Sequence, residues 1–437
     1  MTGRPAVDLH DSSSLVGADA TALLPSAALA GAQVRSTAEQ LAGGPSFDRP
    51  RALVVVGGTA AVEAALLAAL IGDQSPAPVV AATGLPGWVG PLDVVVVLAG
   101  AVDDIAAAEA AAQAARRGAR VVVRAAAEGP VAAAAGAALI EPHVSVVEAL
   151  AGPARLTVLT AVAAAAGLYP APDFGAAADQ LDAMAMACHP SSEFFVNPAL
   201  TLAEHLSAGT PLLIGTDPVA DALAAHAASS LAGLGGSAGA WLSSAQAALS
   251  PPVLARAAGR GVGASGEAAN DIFWDPYEAE SDAAQQISAV LVVGPSGQSP
   301  AVPLPGSGLL PEPIPGAGVP GSAASSPLVA ALEAALPRAM RIGPEELPTS
   351  VDSEHDTGPG TAGIGSRDAF SWTMTMLSRI DFASVYLGLL TGARAPIDSP
   401  DGLGRPGRSV QHLPPTGGNS PWGNGRQAYG EESGSWS

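Results

Sequence analysis

Lysine is absent from this 437-residue chain, and all 19 of its basic side chains are arginine. That excludes a Schiff base, a pyridoxal phosphate anchor and a P-loop lysine. Selection against amines would explain the absence. So would a GC-rich coding bias, which also accounts for the excess of Ala and Gly and is preferred here. Cysteine is almost as scarce. Cys188 stands alone, so the chain can build neither an internal disulfide framework nor a cysteine-based zinc site, and a reduced, cytoplasmic setting is expected. Aromatic residues make up 4% against a hydrophobic content of 48%, so the core must be mostly Ala, Val and Leu. Basic charge is outnumbered, 19 against 40 acidic residues, for a net −21. Such a surface repels nucleic acid and anionic membranes, and neither is expected as a partner. The opening "MTGRPAVDLHDSSS" lacks the apolar run of a secretory leader. The most apolar stretch, 156–172, is short for a membrane span and closed by Gly and Pro, which points to a buried helix.

What the chain does have is a repeated alternation. Residues 20–42 read as Ala-rich helix. "RALVVVGG" then reads as a buried strand and "TAAVEAALLAALIG" as a helix closed by Gly72. "APVVAA", "DVVVVLAG" and "ARVVVRA" are further strands. Between the last two, a helix carries Asp103 and Asp104 in its first turn and Arg116 and Arg117 in its last, which suits the helix dipole. Continuous Val runs alternating with helices predict a parallel sheet covered on both faces.

The pattern returns farther on. "TPLLIG" and "ISAVLVVG" are predicted strands. "DPVADALAAHAASSLAG" is a helix with Asp217 as its N-cap, and "GAWLSSAQAAL" another helical piece. Nine prolines between 295 and 327 mark a flexible insertion, "SPLVAALEAALPRAM" resumes helix and "SVDSEHDTGPGTAGIG" is another loop. A long helix is predicted over 367–392. The expected organisation is an N-terminal helical segment (1–50), a first α/β domain (51–150), a second (170–392) containing the 295–327 insertion, and a disordered tail (393–437).

Four stretches together resemble one family: "VVGGTAAVEA", "LDVVVVLAGAVDDIAAAEAAAQAARRGARVVV", "NPALTLAEHLSAGTPLLIG" and the terminal "DFASVYLGLLTG". They look like the two-domain SIS phosphosugar isomerases, nearest the bifunctional phosphoglucose/phosphomannose isomerase type. The acidic, Ala-rich style and "LPGWVGPLD" are most similar to its actinobacterial TobH branch. The resemblance implies an α/β fold of two SIS domains, each a five-stranded parallel sheet with helices on both faces. It implies a site between the domains of a homodimer, and a hexose 6-phosphate isomerised between aldose and ketose. A Glu base and a His carry that chemistry, with no metal and no organic cofactor.

Matched onto the family's two phosphate-binding turns, this sequence keeps one. Gly57, Gly58 and Thr59 stand where the family has Gly-Gly-Ser, at a predicted helix N-terminus that suits an anion. The second turn, Ser-Tyr-Ser-Gly-Asn-Thr in the family, aligns on Gly100 with Val97, Leu98, Ala99, Ala101 and Val102, so its Ser and Thr hydroxyls are all lost. Each hydrogen bond to a charged ligand is worth about 1.5–3 kcal/mol. The place of the family Glu falls at Ala232-Gly233-Leu234, and that of the His near Asn270, followed by Asp271. Glu267, Glu278 and Glu280 are substitutes for the base or simply solvated surface groups. The expectation is a degenerate sugar-phosphate-binding protein with weak or no catalysis. The alternative is a non-catalytic scaffold with an acidic surface.

Other motifs carry less. "GGSAG" at 235–239 matches G-x-S-x-G around Ser237, but the later histidines, His355 and His412, sit in Pro/Gly-rich segments. A dinucleotide site lacks its third glycine and its acidic residue. Glu354-His355-Asp356 has no second histidine nearby and reads as a solvated cluster rather than a metal site. His189, His205 and His226 read as packing or surface residues. Trp88 and Trp274 either line the cleft or anchor their loops.

Overall fold

The computed structural model describes residues 7–43, 47–58, 60–73, 75–135, 139–259, 286–295, 327–343 and 366–393. Thr59, the 260–285 and 296–326 segments, 344–365 and the tail from 394 lie outside the described residues. So do the expectations made for Asn270, Asp271, Glu267, Glu278, Glu280, Trp274, Glu354, His355, Asp356 and His412.

Two parallel sheets form the frame. The first comprises β1 (Leu53–Val56), β2 (Val79–Ala82), β3 (Val94–Leu98), β4 (Arg120–Arg124) and β5 (Leu139–Ile140), in the order β2-β1-β3-β4-β5. The second comprises β6 (Thr210–Gly215), β7 (Ala240–Ser243), β8 (Ile287–Val292) and β9 (Met340–Ile342), in the order β7-β6-β8-β9. Register is fixed by pairs such as Leu53 with Val94 and Leu213 with Val290. The predicted α/β architecture is what is observed, although the second sheet has four strands among the described residues rather than five.

Helices α1 (Ser12–Ala18), α2 (Leu23–Ala28) and α3 (Ala30–Leu41) precede the first sheet, so the predicted N-terminal helix is broken. It begins only after Ala22, whose φ of 55° is incompatible with helix, and is interrupted again at Leu29 between α2 and α3. The remaining helices are α4 (Ala60–Ile71), α5 (Ile105–Arg116), α6 (Gly129–Ala135), α7 (Gly152–Ala165), α8 (Phe174–Ala187), α9 (Pro198–Ser207), α10 (Pro218–Gly233), α11 (Ser244–Ala248) and α12 (Pro251–Ala257). Two more, Pro327–Ala335 and the long C-terminal Ser366–Thr391, complete the fold. Gly72 ends α4 with φ 74°, as its sequence position predicts.

Side chains alternate across each strand, and this sorts the interior into three layers. Val54, Val56, Val95 and Val97 face α5 and α6. Leu53, Val55, Val94 and Val96 face the opposite way, into a central layer shared with Leu213, Val290 and Val292 of the second sheet. Leu212, Ile214, Ala289 and Leu291 pack outward against Leu332 and Leu336. The C-terminal helix lies in the central layer, with Phe370, Phe382 and Tyr386 fully buried. Its "DFASVYLGLL" stretch is therefore core: the Tyr386 hydroxyl donates to the Cys188 carbonyl at 2.6 Å.

Two local expectations need correction. Asp104 is the N-cap of α5 rather than part of its first turn, and Asp103 precedes it. "GAWLSSAQAAL" is not all helix: Ala240–Ser243 form edge strand β7, and α11 starts only where Ser243 and Gln246 make a reciprocal capping box. Among the described residues no helix is long and apolar enough to cross a membrane, and the 156–172 stretch supplies most of buried α7.

Candidate functional site

In both sheets the chain reverses direction across the sheet after its first two strands. In the first sheet that switch point lies between β1 and β3, where open α/β sheets place their ligands, beyond the carboxyl ends of the strands. The two sequence-predicted turns meet there. Gly57 follows β1, and a Cβ at that position would run into the Leu98 carbonyl at the end of β3, so only glycine lets the two turns approach. Gly58 and Gly100 both line a cavity of about 270 Å³, which reaches from the two turns to α7 and α10. Gly233 and Leu234 line it too, so the place of the family Glu does reach the cleft, without a carboxylate. Leu98 and Ala99 of the second turn are buried and apolar.

A charge lies just past the second turn. The half-buried Asp104 lines the cavity, and its Oδ1 accepts the Ala107 N–H at 2.9 Å. A carboxylate thus occupies the α5 N-terminus, the kind of position that otherwise attracts a ligand anion.

The cavity floor holds Glu63, Glu148 and Arg155, which form a four-member ion network with Arg124 behind them. Arg155 on α7 donates from Nε to Glu63 Oε1 on α4 at 2.6 Å, and from Nη1 to Glu148 Oε1 at 2.8 Å. Arg124, at the end of β4, adds a 3.2 Å bond to the same Glu148 oxygen. Burial works against the charge on Arg155, but Glu63 and Glu148 outweigh it and hold the guanidinium above its usual pKa. Arg124 goes the other way: burial, helped by repulsion from Arg155, outweighs its attraction to Glu148. Glu63 Oε2 is buried and has no partner among the described residues. A buried carboxylate oxygen left unpaired is costly, and this one is sealed from the cavity rather than open to a ligand.

The far wall belongs to α10. His226 and Ser230, one turn apart, both reach Asp381 of the C-terminal helix. Nε2 of His226 and Oγ of Ser230 each lie 2.8 Å from Asp381 Oδ1, and 3.2 Å from one another. The carboxylate selects the tautomer with hydrogen on Nε2, which leaves Nδ1 as an acceptor without a hydrogen-bond partner among the described residues. The arrangement is a triangle around one oxygen rather than a relay, so it does not activate Ser230 as a nucleophile. The sequence reading of His226 as a packing or surface residue missed this placement.

The other motifs lie elsewhere. Ser237 is in the loop between α10 and β7, so a helix precedes it and a strand follows, the reverse of a nucleophile elbow. His189 bonds Ser191 at 2.7 Å, and His205 bonds the Ala289 carbonyl at 2.8 Å, both away from the cavity lining. Trp88 anchors its loop: its carbonyl accepts from Arg51 at 2.9 Å, and the same guanidinium lies 5.4 Å from the ring centre.

No family model matches this sequence, and no curated protein does. Solved structures do resemble it. A hypothetical protein from Thermus thermophilus shares 13% identity over 87% of this chain and 88% of its own, with a TM-score of 0.52. A glucose-6-phosphate isomerase like protein from the same organism shares 18% over 91% of this chain and 96% of its own, at 0.43. Tagatose-6-phosphate ketose/aldose isomerase from Escherichia coli shares 11% over 91% and 98%, at 0.45. At such identities the likeness is one of fold: two parallel sheets, each with helices on both faces.

Proposed function

We propose that this chain is a sugar-phosphate-binding protein of the SIS phosphosugar isomerase type, akin to the bifunctional phosphoglucose/phosphomannose isomerases and their TobH branch, in which isomerase chemistry is weak or lost. Its ligand is of the hexose 6-phosphate class. The observation that carries this reading is the cavity at the switch point, where Gly58 and Gly100 meet above the Glu63–Arg155–Glu148 network. The Gly58 backbone, which lines the cavity just ahead of α4, suits an anion. The imidazole of His226, on the cavity wall, suits a sugar hydroxyl.

Catalysis is weak for two reasons. The second turn has apolar side chains where a phosphate needs donors. The position of the expected base, Gly233 and Leu234, carries no carboxylate. We place the protein in the cytoplasm, as a homodimer, with the two sheets as its two domains.

An interaction scaffold is the second reading, and one observation favours it. Met186, Phe195 and Val196 are 70%, 88% and 68% exposed around the end of α8 and the turn that follows. Calorimetric titration with glucose 6-phosphate and mannose 6-phosphate, paired with an assay for ketose formation, separates the readings. Binding with little turnover supports the first, rapid turnover contradicts the loss of chemistry, and no binding to either sugar leaves the scaffold.

A further inference from the structure

His226 lines the cavity from α10 with an oriented imidazole. Its Nε2 lies 2.8 Å from Oδ1 of Asp381, a carboxylate only 4% exposed. Ser230 donates to the same oxygen and holds it from a second side. With hydrogen on Nε2, the lone pair is on Nδ1, which has no hydrogen-bond partner among the described residues. Nor is Nδ1 sealed in the interior, as Glu63 Oε2 is. A buried carboxylate behind an imidazole stabilises the imidazolium that forms when Nδ1 takes a proton. The same cavity holds a cation. Arg155 commits Nε and Nη1 to Glu63 and Glu148, and its Nη2 makes no hydrogen bond among the described residues. A fixed guanidinium on the wall suits a developing oxyanion.

We propose that His226 is a general base that removes the C2 proton of an open-chain aldose phosphate, with Asp381 positioning it and Arg155 receiving the enediolate. The proposal rests on the sugar-phosphate reading above, and gives its remaining chemistry to a residue outside the places of the family Glu and His. The C2–H bond breaks and the proton goes to Nδ1. The electron pair forms the C1–C2 double bond, and the carbonyl π pair moves onto O1. Isomerisation further requires O2 to lose a proton and O1 to gain one. The place of the family Glu carries no carboxylate, so the enediolate takes a proton back at C2. Exchange at C2 therefore outpaces ketose formation.

The test follows the C2 proton of glucose 6-phosphate by NMR in D2O, with the full chain and a buffer control, while calorimetry reads binding. His226→Gln keeps an N–H for Asp381 and removes the base. Wild type is expected to wash deuterium into C2 about a hundredfold faster than buffer, and H226Q to bind the sugar but exchange near the buffer rate. Asp381→Asn should exchange about tenfold more slowly than wild type at similar affinity, and an unchanged rate overturns its positioning role. Thermal melts confirm each fold. If H226Q folds poorly, exchange recovered by adding imidazole to His226→Ala supports the base, and no recovery overturns it. Binding without exchange in wild type, or wild-type exchange in H226Q, overturns the role of His226 and leaves sugar binding intact. No binding of glucose 6-phosphate to wild type overturns both.

Discussion

Arg155 Nε lies 2.6 Å from Glu63 Oε1, and each side chain is 6% exposed. The pair ties α7 to α4 directly beneath the candidate cleft. Removing one partner leaves an uncompensated charge, and for buried pairs that costs about 3–5 kcal/mol. Arg155→Met should therefore destabilise the protein by about that amount in urea unfolding. The double variant Arg155→Met/Glu63→Met should recover much of the loss, because two apolar groups replace the pair while Glu148 keeps its bond to Arg124.

Asp381 organises the opposite wall. Asp381→Asn keeps the shape but weakens two hydrogen bonds, to His226 and Ser230, that involve a charged acceptor. The expected loss is about 2 kcal/mol, read as a lower urea midpoint with an unchanged m-value. Ser230→Ala, which removes one of the bonds, should cost about half as much.

Asp221 titrates in an unusual range. Burial, with a smaller contribution from Asp217, pushes its carboxyl up to about 6 from 3.8. The folded protein thus holds this proton more tightly than the unfolded chain. Stability associated with the group is present below about pH 4, falls as pH rises towards 6, and stays lost above it. In a dry site the displacement would be worth about 3 kcal/mol. Solvent at the half-buried side chain reduces that to about 1 kcal/mol. Asp221→Asn should therefore raise stability by about 1 kcal/mol at pH 8 and leave it nearly unchanged at pH 4, as thermal melts at the two pH values would show.

Cys188 is predicted to be inert. Burial pushes its thiol up to about 12, and its sulfur lies 3.4 Å from that of Met184. A maleimide should fail to label the native protein at pH 7.5 and react fully in 6 M guanidinium.

Much of this frame can be read from residue order. The Val runs of β1, β3 and β4 and the "TPLLIG" of β6 announce strands buried on both faces, and Asp217 caps its helix as its position suggests. The short strands do not announce themselves. Two residues of β5 and three of β9 are too few for any periodicity, and β7 runs straight into the capping box that follows it. The glycines of the cleft are readable because a strand, a Gly turn and a helix are contiguous. Its charged groups are not, because Glu63 and Arg155 are 92 positions apart, and His226 and Asp381 are 155 apart. A weaker signal was present. Glu63 in "AAVEAALL" and Arg155 in "PARLTVL" are single charges in apolar helices, and a buried charge needs a partner or a use.

The proposed function is a phosphosugar-isomerase-like scaffold with a weak grip on phosphate and little chemistry. Titrating the full-length wild-type protein with glucose 6-phosphate, and following fructose 6-phosphate in the same samples, tests it most directly. The account predicts a millimolar or weaker Kd with turnover near background. A micromolar Kd together with rapid conversion would contradict it.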